Sequence, residues 1–145
     1  AAADGAVSVT TADAPLPAPT PWRVAIAHTP VDADDVFLHH KTTHRAVYDT
    51  RRAERPEADE VLLVNRRGEL TEGSITTLVV QRDGVRWTPP RTSGLLGGIA
   101  RGRALAEGSV RERVLHPADL VRAEGVWMLN ALRGWVAARV IDADA

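Results

Sequence analysis

The sequence contains no cysteine and only one lysine, Lys41, against seventeen arginines among its 145 residues. Without thiols, disulfide cross-links, thiolate nucleophiles and cysteine metal sites are excluded. Aromatic residues are scarce as well: one Phe, one Tyr and four Trp. With a formal net charge of −1 and scattered arginines, the chain has neither the basic field nor the stacking platforms that nucleic acid or an anionic membrane would require. No apolar run approaches the roughly 20 residues that span a bilayer, and residues 1–5 carry neither the basic nor the apolar part of a secretory leader. HExxH, GxSxG and Walker A patterns are missing, and His28, His39, His40, His44 and His116 lack metal-ligand spacing. His39 and His40 are therefore expected to be structural or solvated. The expectation is a cytoplasmic protein that takes a small-molecule substrate, with no metal, nucleic acid or membrane partner.

The surviving lysine is the most informative residue present. Arginine stays protonated in proteins, whereas a lysine amine is readily made neutral and can then attack a carbonyl. Lys41 is therefore a candidate nucleophilic amine. The competing reading is a solvated surface lysine, since lysine is mostly exposed.

At this length the chain forms about one domain. Residues 10–21 carry Pro15, Pro17, Pro19 and Pro21, which favour extended backbone and cannot donate to a regular ladder, so residues 1–21 read as a lead-in or linker before a domain at 22–145. Alternation at 22–27 predicts a strand, and 32–35 a turn or helix start. A helix is expected at 43–54, ended by Pro56, which places Lys41 at a strand-to-helix junction. Apolar runs at 60–65, 70–80 and 85–88, separated by Gly68 and by Asp83-Gly84, predict an antiparallel meander, since glycine takes positive φ without steric cost. A helix at 99–107 ended by Gly108, a strand at 110–115, a short helix at 117–123 opened by Pro117, and strands at 126–129 and 135–141 complete the reading. The class is mixed α and β with sheet dominant.

Three further features bear on chemistry. Glu72 sits inside an apolar strand run, so it either faces solvent or answers a cation or proton donor. The stretch Gly94-Leu95-Leu96-Gly97-Gly98-Ile99 opens a helix, where orphan N–H groups and the helix dipole favour an anion, although a plain turn has the same composition. In the turn Asn130-Ala131-Leu132-Arg133-Gly134-Trp135, Arg133 is suited to clamping a carboxylate, or is a surface arginine.

In order and spacing, Phe37-Leu38, Lys41-Thr42-Thr43, Arg45, Tyr48, Thr71-Glu72, Thr88-Pro89, Gly94-Leu95-Leu96, Arg101, Glu112-Arg113, Asn130 and Leu132-Arg133-Gly134-Trp135 together resemble fold-type IV (class IV) pyridoxal-phosphate enzymes. Within them the string is most similar to aminodeoxychorismate lyases, in particular the lyase portion of fused para-aminobenzoate synthases. The resemblance spans roughly residues 22–140. It implies an α+β, class IV aminotransferase-like large domain: a mostly antiparallel sheet or pseudo-barrel with a few helices. It also implies pyridoxal 5'-phosphate as cofactor and conversion of 4-amino-4-deoxychorismate to para-aminobenzoate and pyruvate, in folate biosynthesis. The alternatives within the same resemblance are a branched-chain or D-amino acid aminotransferase and a catalytically inactive domain of the same fold.

Roles follow from the resemblance. Lys41 would bond the cofactor aldehyde and, once released, move the substrate Cα proton. Glu72 would pair with the ring nitrogen, Leu96 would pack under the ring, and the N–H groups of Ile99 and Ala100 would hold the phosphate. Ser74 and Ala131 would also contact the cofactor, and Arg133 the substrate. The chain departs from the family pattern at Thr77, where asparagine is usual, at Gly97, where proline is usual, and at Ala100 and Ala131, where hydroxyl side chains are usual. Weaker cofactor affinity is the expected result. The family's small N-terminal domain, which brings a phosphate-binding arginine, has no counterpart in the roughly 40 residues before Lys41. The resemblance thus implies either the cofactor-binding half of a longer protein or a reduced homologue, completed as a homodimer or by the rest of a longer chain.

Overall fold

The apolar strand β1 (Trp22–Ile26) lies in the middle of one eight-stranded sheet, with a parallel neighbour on each side. The computed structural model describes residues 5, 7–13 and 20–141. From β1 the chain crosses over through α1 (Val36–His39) and α2 (Ala46–Ala53) into β2 (Glu60–Val64), the kind of connection a parallel pair needs. There follow β3 (Leu70–Gly73), β4 (Thr77–Arg82), β5 (Val85–Thr88), a one-turn 3-10 helix at Arg91–Ser93, and α3 (Ile99–Ala106). The chain ends with β6 (Arg111–Glu112), α4 (Pro117–Val121), β7 (Gly125–Asn130) and β8 (Gly134–Val140). The strand order is β3-β2-β1-β8-β7-β4-β5-β6.

β3 and β4 are first and sixth in that order, yet only residues 74–76 join them, in a turn closed by the Gly73 N–H on the Thr76 carbonyl (2.7 Å). The sheet must therefore curl until its β3 edge meets β4, and the result is a half-barrel. Period-two alternation fills its interior with Val24, Leu62, Leu70, Leu78, Val80, Val126 and Met128, to which Leu115 and Leu120 add. The opposite faces of the same strands bury Val61 and Leu63 against Leu38 and Tyr48 of the two crossover helices, and Val79 and Leu129 against Ala104 of α3. Each buried valine, leucine or methionine among them contributes roughly 1.5–3 kcal/mol.

The α+β, sheet-dominated pseudo-barrel is as expected, although the sheet is mixed, with four antiparallel and three parallel pairings. The meander expected over 60–88 is corrected. Its two hairpins form, with positive φ at Gly68, Asp83 and Gly84, but the run at 70–80 breaks at 74–76 and β4 pairs with β7 instead. The cause is the buried Glu60 carboxylate, which accepts from Ser74 N (3.0 Å), Ser74 Oγ (2.6 Å), Ile75 N (3.2 Å) and Thr76 Oγ1 (2.9 Å) and so winds these residues into a turn.

The strand expected at 110–115 is reduced to two residues: Leu115 turns its side chain into the barrel core, and its carbonyl takes the Leu70 N–H at 2.7 Å. α2 starts later than expected because Thr42 Oγ1 accepts the His44 N–H (3.1 Å) and forms its own turn there. α1 had no periodic signal; it rests on Asp35, which accepts from Phe37 N. Pro15, Pro17 and Pro19 of the expected lead-in, and residues 142–145, lie outside the described residues. No helix among the described residues is long and apolar enough to cross a membrane.

Candidate active site

The crossover between β1 and β2 carries Lys41 to the mouth of a cleft of about 170 Å³, between the crossover, the β3–β4 turn, the start of α3 and the end of β7. The Lys41 segment is anchored from α1. His39 Nε2 donates to the Ala33 carbonyl (2.8 Å), His40 Nδ1 donates to the Val36 carbonyl (3.0 Å), and the His44 ring stacks on Phe37 with centroids 4.1 Å apart. His39 and His40 are thus structural. Lys41 itself is exposed.

Glu72 is brought to the cleft by an irregularity in β3. Leu62 pairs with Gly73 and Val64 with Leu70, so Thr71 and Glu72 together oppose the single residue Leu63. This bulge breaks the alternation, and Glu72 turns toward the helix side of the sheet instead of following Leu70 into the barrel. It meets Tyr48 of α2 there, whose hydroxyl donates to Oε1 at 2.7 Å, and the Leu96 N–H donates to the same oxygen at 3.1 Å. Oε2 has no hydrogen-bond partner among the described residues. Burial, the largest effect, together with the charge of Glu60, pushes the Glu72 carboxyl up to about 8, while Tyr48, Leu96 and Arg101 pull it back. Tyr48 is likewise pushed far above its ordinary value, by burial first and then by the Glu72 charge and hydrogen bond.

Arg45 locks these pieces together. Its guanidinium donates to the Ser74 carbonyl (2.8 Å) and lies over the Tyr48 ring at 5.1 Å. Arg101, 4% exposed, donates to the Pro89 carbonyl and pairs with Glu112, and its Nε is without a partner among the described residues. α3 begins at Ile99 behind Gly98, with no side chain capping its first N–H groups.

Lys41, Glu72, Ser74, Leu96, Ile99, Ala100 and Ala131, all singled out from sequence, line this one cleft. The Ser74 hydroxyl is already committed to Glu60 (2.6 Å). Arg133 is not brought to the cleft: it is exposed, with its guanidinium over Trp22 at 5.3 Å. Tyr48 and Thr77 also line the cleft without having been assigned a site role. Tyr48 entered the sequence reading as one residue of the string that carries the family resemblance, although its being the only tyrosine was a usable signal. Thr77 stood out only as a departure from a family pattern.

Known proteins share the fold and part of the sequence. A solved structure from Mesorhizobium loti, provisionally named an amino-acid aminotransferase, is 39% identical with a TM-score of 0.82, over 88% of this chain and 63% of that one. A Legionella pneumophila structure, provisionally named a 4-amino-4-deoxychorismate lyase, has a TM-score of 0.79 at 23% identity, over 88% of this chain and 50% of that one, and is similar in fold. A Schizosaccharomyces pombe protein provisionally named an aminodeoxychorismate lyase is 34% identical over 100 residues, 64% of this chain and 43% of its own length. The chain spans about half the length of the curated relatives it matches. The sequence pattern of the amino-transferase class IV family matches residues 1–141, and the chain accordingly belongs to the class IV aminotransferase family.

Proposed function

We propose that this chain is the cofactor-holding part of a pyridoxal-phosphate enzyme that splits 4-amino-4-deoxychorismate into para-aminobenzoate and pyruvate. The observation that carries the proposal is the meeting, on one cleft, of the chain's single lysine, a buried carboxylate with one unpaired oxygen, and an uncapped helix N-terminus. Members of the family depend on pyridoxal phosphate, and the lining fits it: Oε2 of Glu72 is an acceptor for the ring N–H, Leu96 offers an apolar surface, and the N–H groups of Ile99 and Ala100 suit the phosphate. When bound, the cofactor supplies an aldehyde that bonds to amines and a protonated ring that draws electrons from the substrate Cα. Lys41 Nζ would hold that aldehyde and would carry the proton to and from the substrate Cα. Tyr48 and the Leu96 N–H fix Oε1, so that Oε2 would be the oxygen that keeps the proton on the ring nitrogen. The substrate-facing residues and a phosphate-binding arginine would come from the part of the longer relatives that this chain does not span, supplied by the rest of a longer chain or by a homodimer partner.

The resemblance and the Schizosaccharomyces pombe relative support the lyase reading. The 39% identity with the Mesorhizobium loti structure supports amino transfer as the second reading. Full-length protein is the material to assay, for pyruvate release from 4-amino-4-deoxychorismate and for amino transfer to 2-oxoglutarate. Pyruvate release is expected, and transfer without pyruvate overturns the lyase reading. Borohydride reduction in the presence of pyridoxal phosphate, followed by mass mapping, is expected to mark Lys41. Lys41 is the one lysine of residues 1–145, so mass mapping assigns a label in this part without ambiguity, and a folded protein that gains no label at Lys41 is the catalytically inactive domain.

A further inference from the structure

We infer that Thr77 supplies the hydroxyl that binds the phosphate end of the cofactor, in place of the hydroxyls missing at Ala100 and Ala131; this rests on the pyridoxal-phosphate reading above. Thr77 opens β4 and is only 7% exposed, and that small remainder lies on the cleft. It pairs across the ladder with Leu129, two residues before Ala131. A Cβ placed on Gly98, the residue that caps α3, would have one heavy atom within 4 Å: Thr77 Oγ1, at 3.9 Å. The hydroxyl therefore faces the start of α3, where Ile99 and Ala100 present uncapped N–H groups to the same cleft.

Thr77 Oγ1 has no hydrogen bond among the described residues. Its neighbours differ: Thr76 Oγ1 donates to Glu60 (2.9 Å), Thr88 Oγ1 to the Leu78 carbonyl (2.8 Å) and Thr71 Oγ1 to the Leu63 carbonyl (3.4 Å). The hydroxyl stays reachable from the cleft and is committed to no protein group, so it is free to donate to something the cleft receives. Beside helix N–H donors, the matching group is an oxyanion, which accepts from the hydroxyl and the N–H groups together. An Oγ at position 77 and an Oγ at position 100 are alternative routes to one phosphate oxygen, and the alanine at 100 leaves that contact to the threonine.

The test uses full-length protein and two probes, pyridoxal phosphate and pyridoxal, with the affinity of each read by absorbance titration and by the fraction of Lys41 trapped with borohydride. The wild type is expected to prefer the phosphorylated probe, and inorganic phosphate is expected to compete with it. Thr77→Val, which keeps the shape and removes the hydroxyl, is expected to weaken pyridoxal phosphate about tenfold or more while leaving pyridoxal unchanged. Thr77→Ser is expected to keep the preference, and adding Ala100→Thr to Thr77→Val to restore it. Equal affinity of wild type and Thr77→Val for the phosphorylated probe, at unchanged circular dichroism, overturns the assignment. If Thr77→Val does not fold, Thr77→Ser carries the test, and its loss of the preference while folded overturns it equally. Labelling of wild-type Lys41 by both probes with equal affinity sinks the phosphate site, Thr77 included, and leaves Lys41 as the aldehyde-binding residue, whereas absence of any Lys41 label sinks the pyridoxal-phosphate reading with it.

Discussion

Glu72 owes its chemical character to the oxygen that is left over. One carboxylate oxygen collects both donors, Tyr48 and the Leu96 N–H, and burial raises the group to about 8, so without a cation nearby it is largely protonated near neutral pH. The ring N–H⁺ of the proposed cofactor would reverse that by giving the ionised carboxylate a partner. Glu72→Gln is therefore expected to keep the Lys41 adduct but to lower turnover by roughly 100-fold or more, because an amide does not hold the ring proton; trapping and steady-state kinetics on the same preparation separate the two effects. Tyr48→Phe removes one of two donors and is expected to weaken cofactor binding several-fold, by about 1 kcal/mol, with turnover lowered less than by Glu72→Gln.

At the scale of elements, the β3–β4 turn decides whether the cleft exists. Glu60 takes five donors, counting its own strand's Val61 N–H at 2.9 Å, and four of them come from residues 74–76. Glu60→Ala leaves those groups buried and unpaired, and a loss of about 3 kcal/mol or more is expected in urea unfolding. Gly73 is needed for a different reason. A Cβ there would lie 2.2 Å from Thr76 Oγ1 and 2.9 Å from both Glu60 Oε2 and Met128 Cε, so Gly73→Ala is expected to destabilise by about 1–3 kcal/mol and to disturb the cleft wall.

For the whole molecule, carboxylates of opposite tendency bound the stability of the cofactor-free protein on both sides of pH. Glu72, raised from 4.5 to about 8, opposes folding once ionised, so its contribution is complete below pH 4.5 and is lost progressively as pH climbs through 8. Asp119 behaves in the opposite sense. Burial favours its neutral form, but the His116 N–H and the guanidinium groups of Arg82 and Arg113 outweigh burial and hold it below its ordinary 3.8. Its contribution is present above 3.8 and is lost as pH falls. Unfolding midpoints measured across pH are expected to decline on both sides, with the alkaline decline, on the order of a few kcal/mol, abolished in Glu72→Gln and the acid decline unaffected.

Local chemistry and periodicity carried the strand and helix inventory: the two hairpin turns at Gly68 and Asp83-Gly84, the start of α3 at Ile99, the proline-led α4, and the alternation that sorts barrel interior from helix-facing residues are all written in neighbouring residues. Lys41, Glu72 and the helix opening at Ile99 were also visible as residue types in an ordered string. The pairing of β4 with β7, the turn wound around Glu60, the bulge that swings Glu72 to Tyr48, the departure of Arg133 toward Trp22 and the unpaired hydroxyl of Thr77 were not. Each of these depends on partners far apart along the chain, fourteen residues for Glu60 and Ser74 and twenty-four for Tyr48 and Glu72. Period-two alternation says which residues share a face, but only the closed sheet determines which face looks into the cleft and which polar atom there is left without a partner.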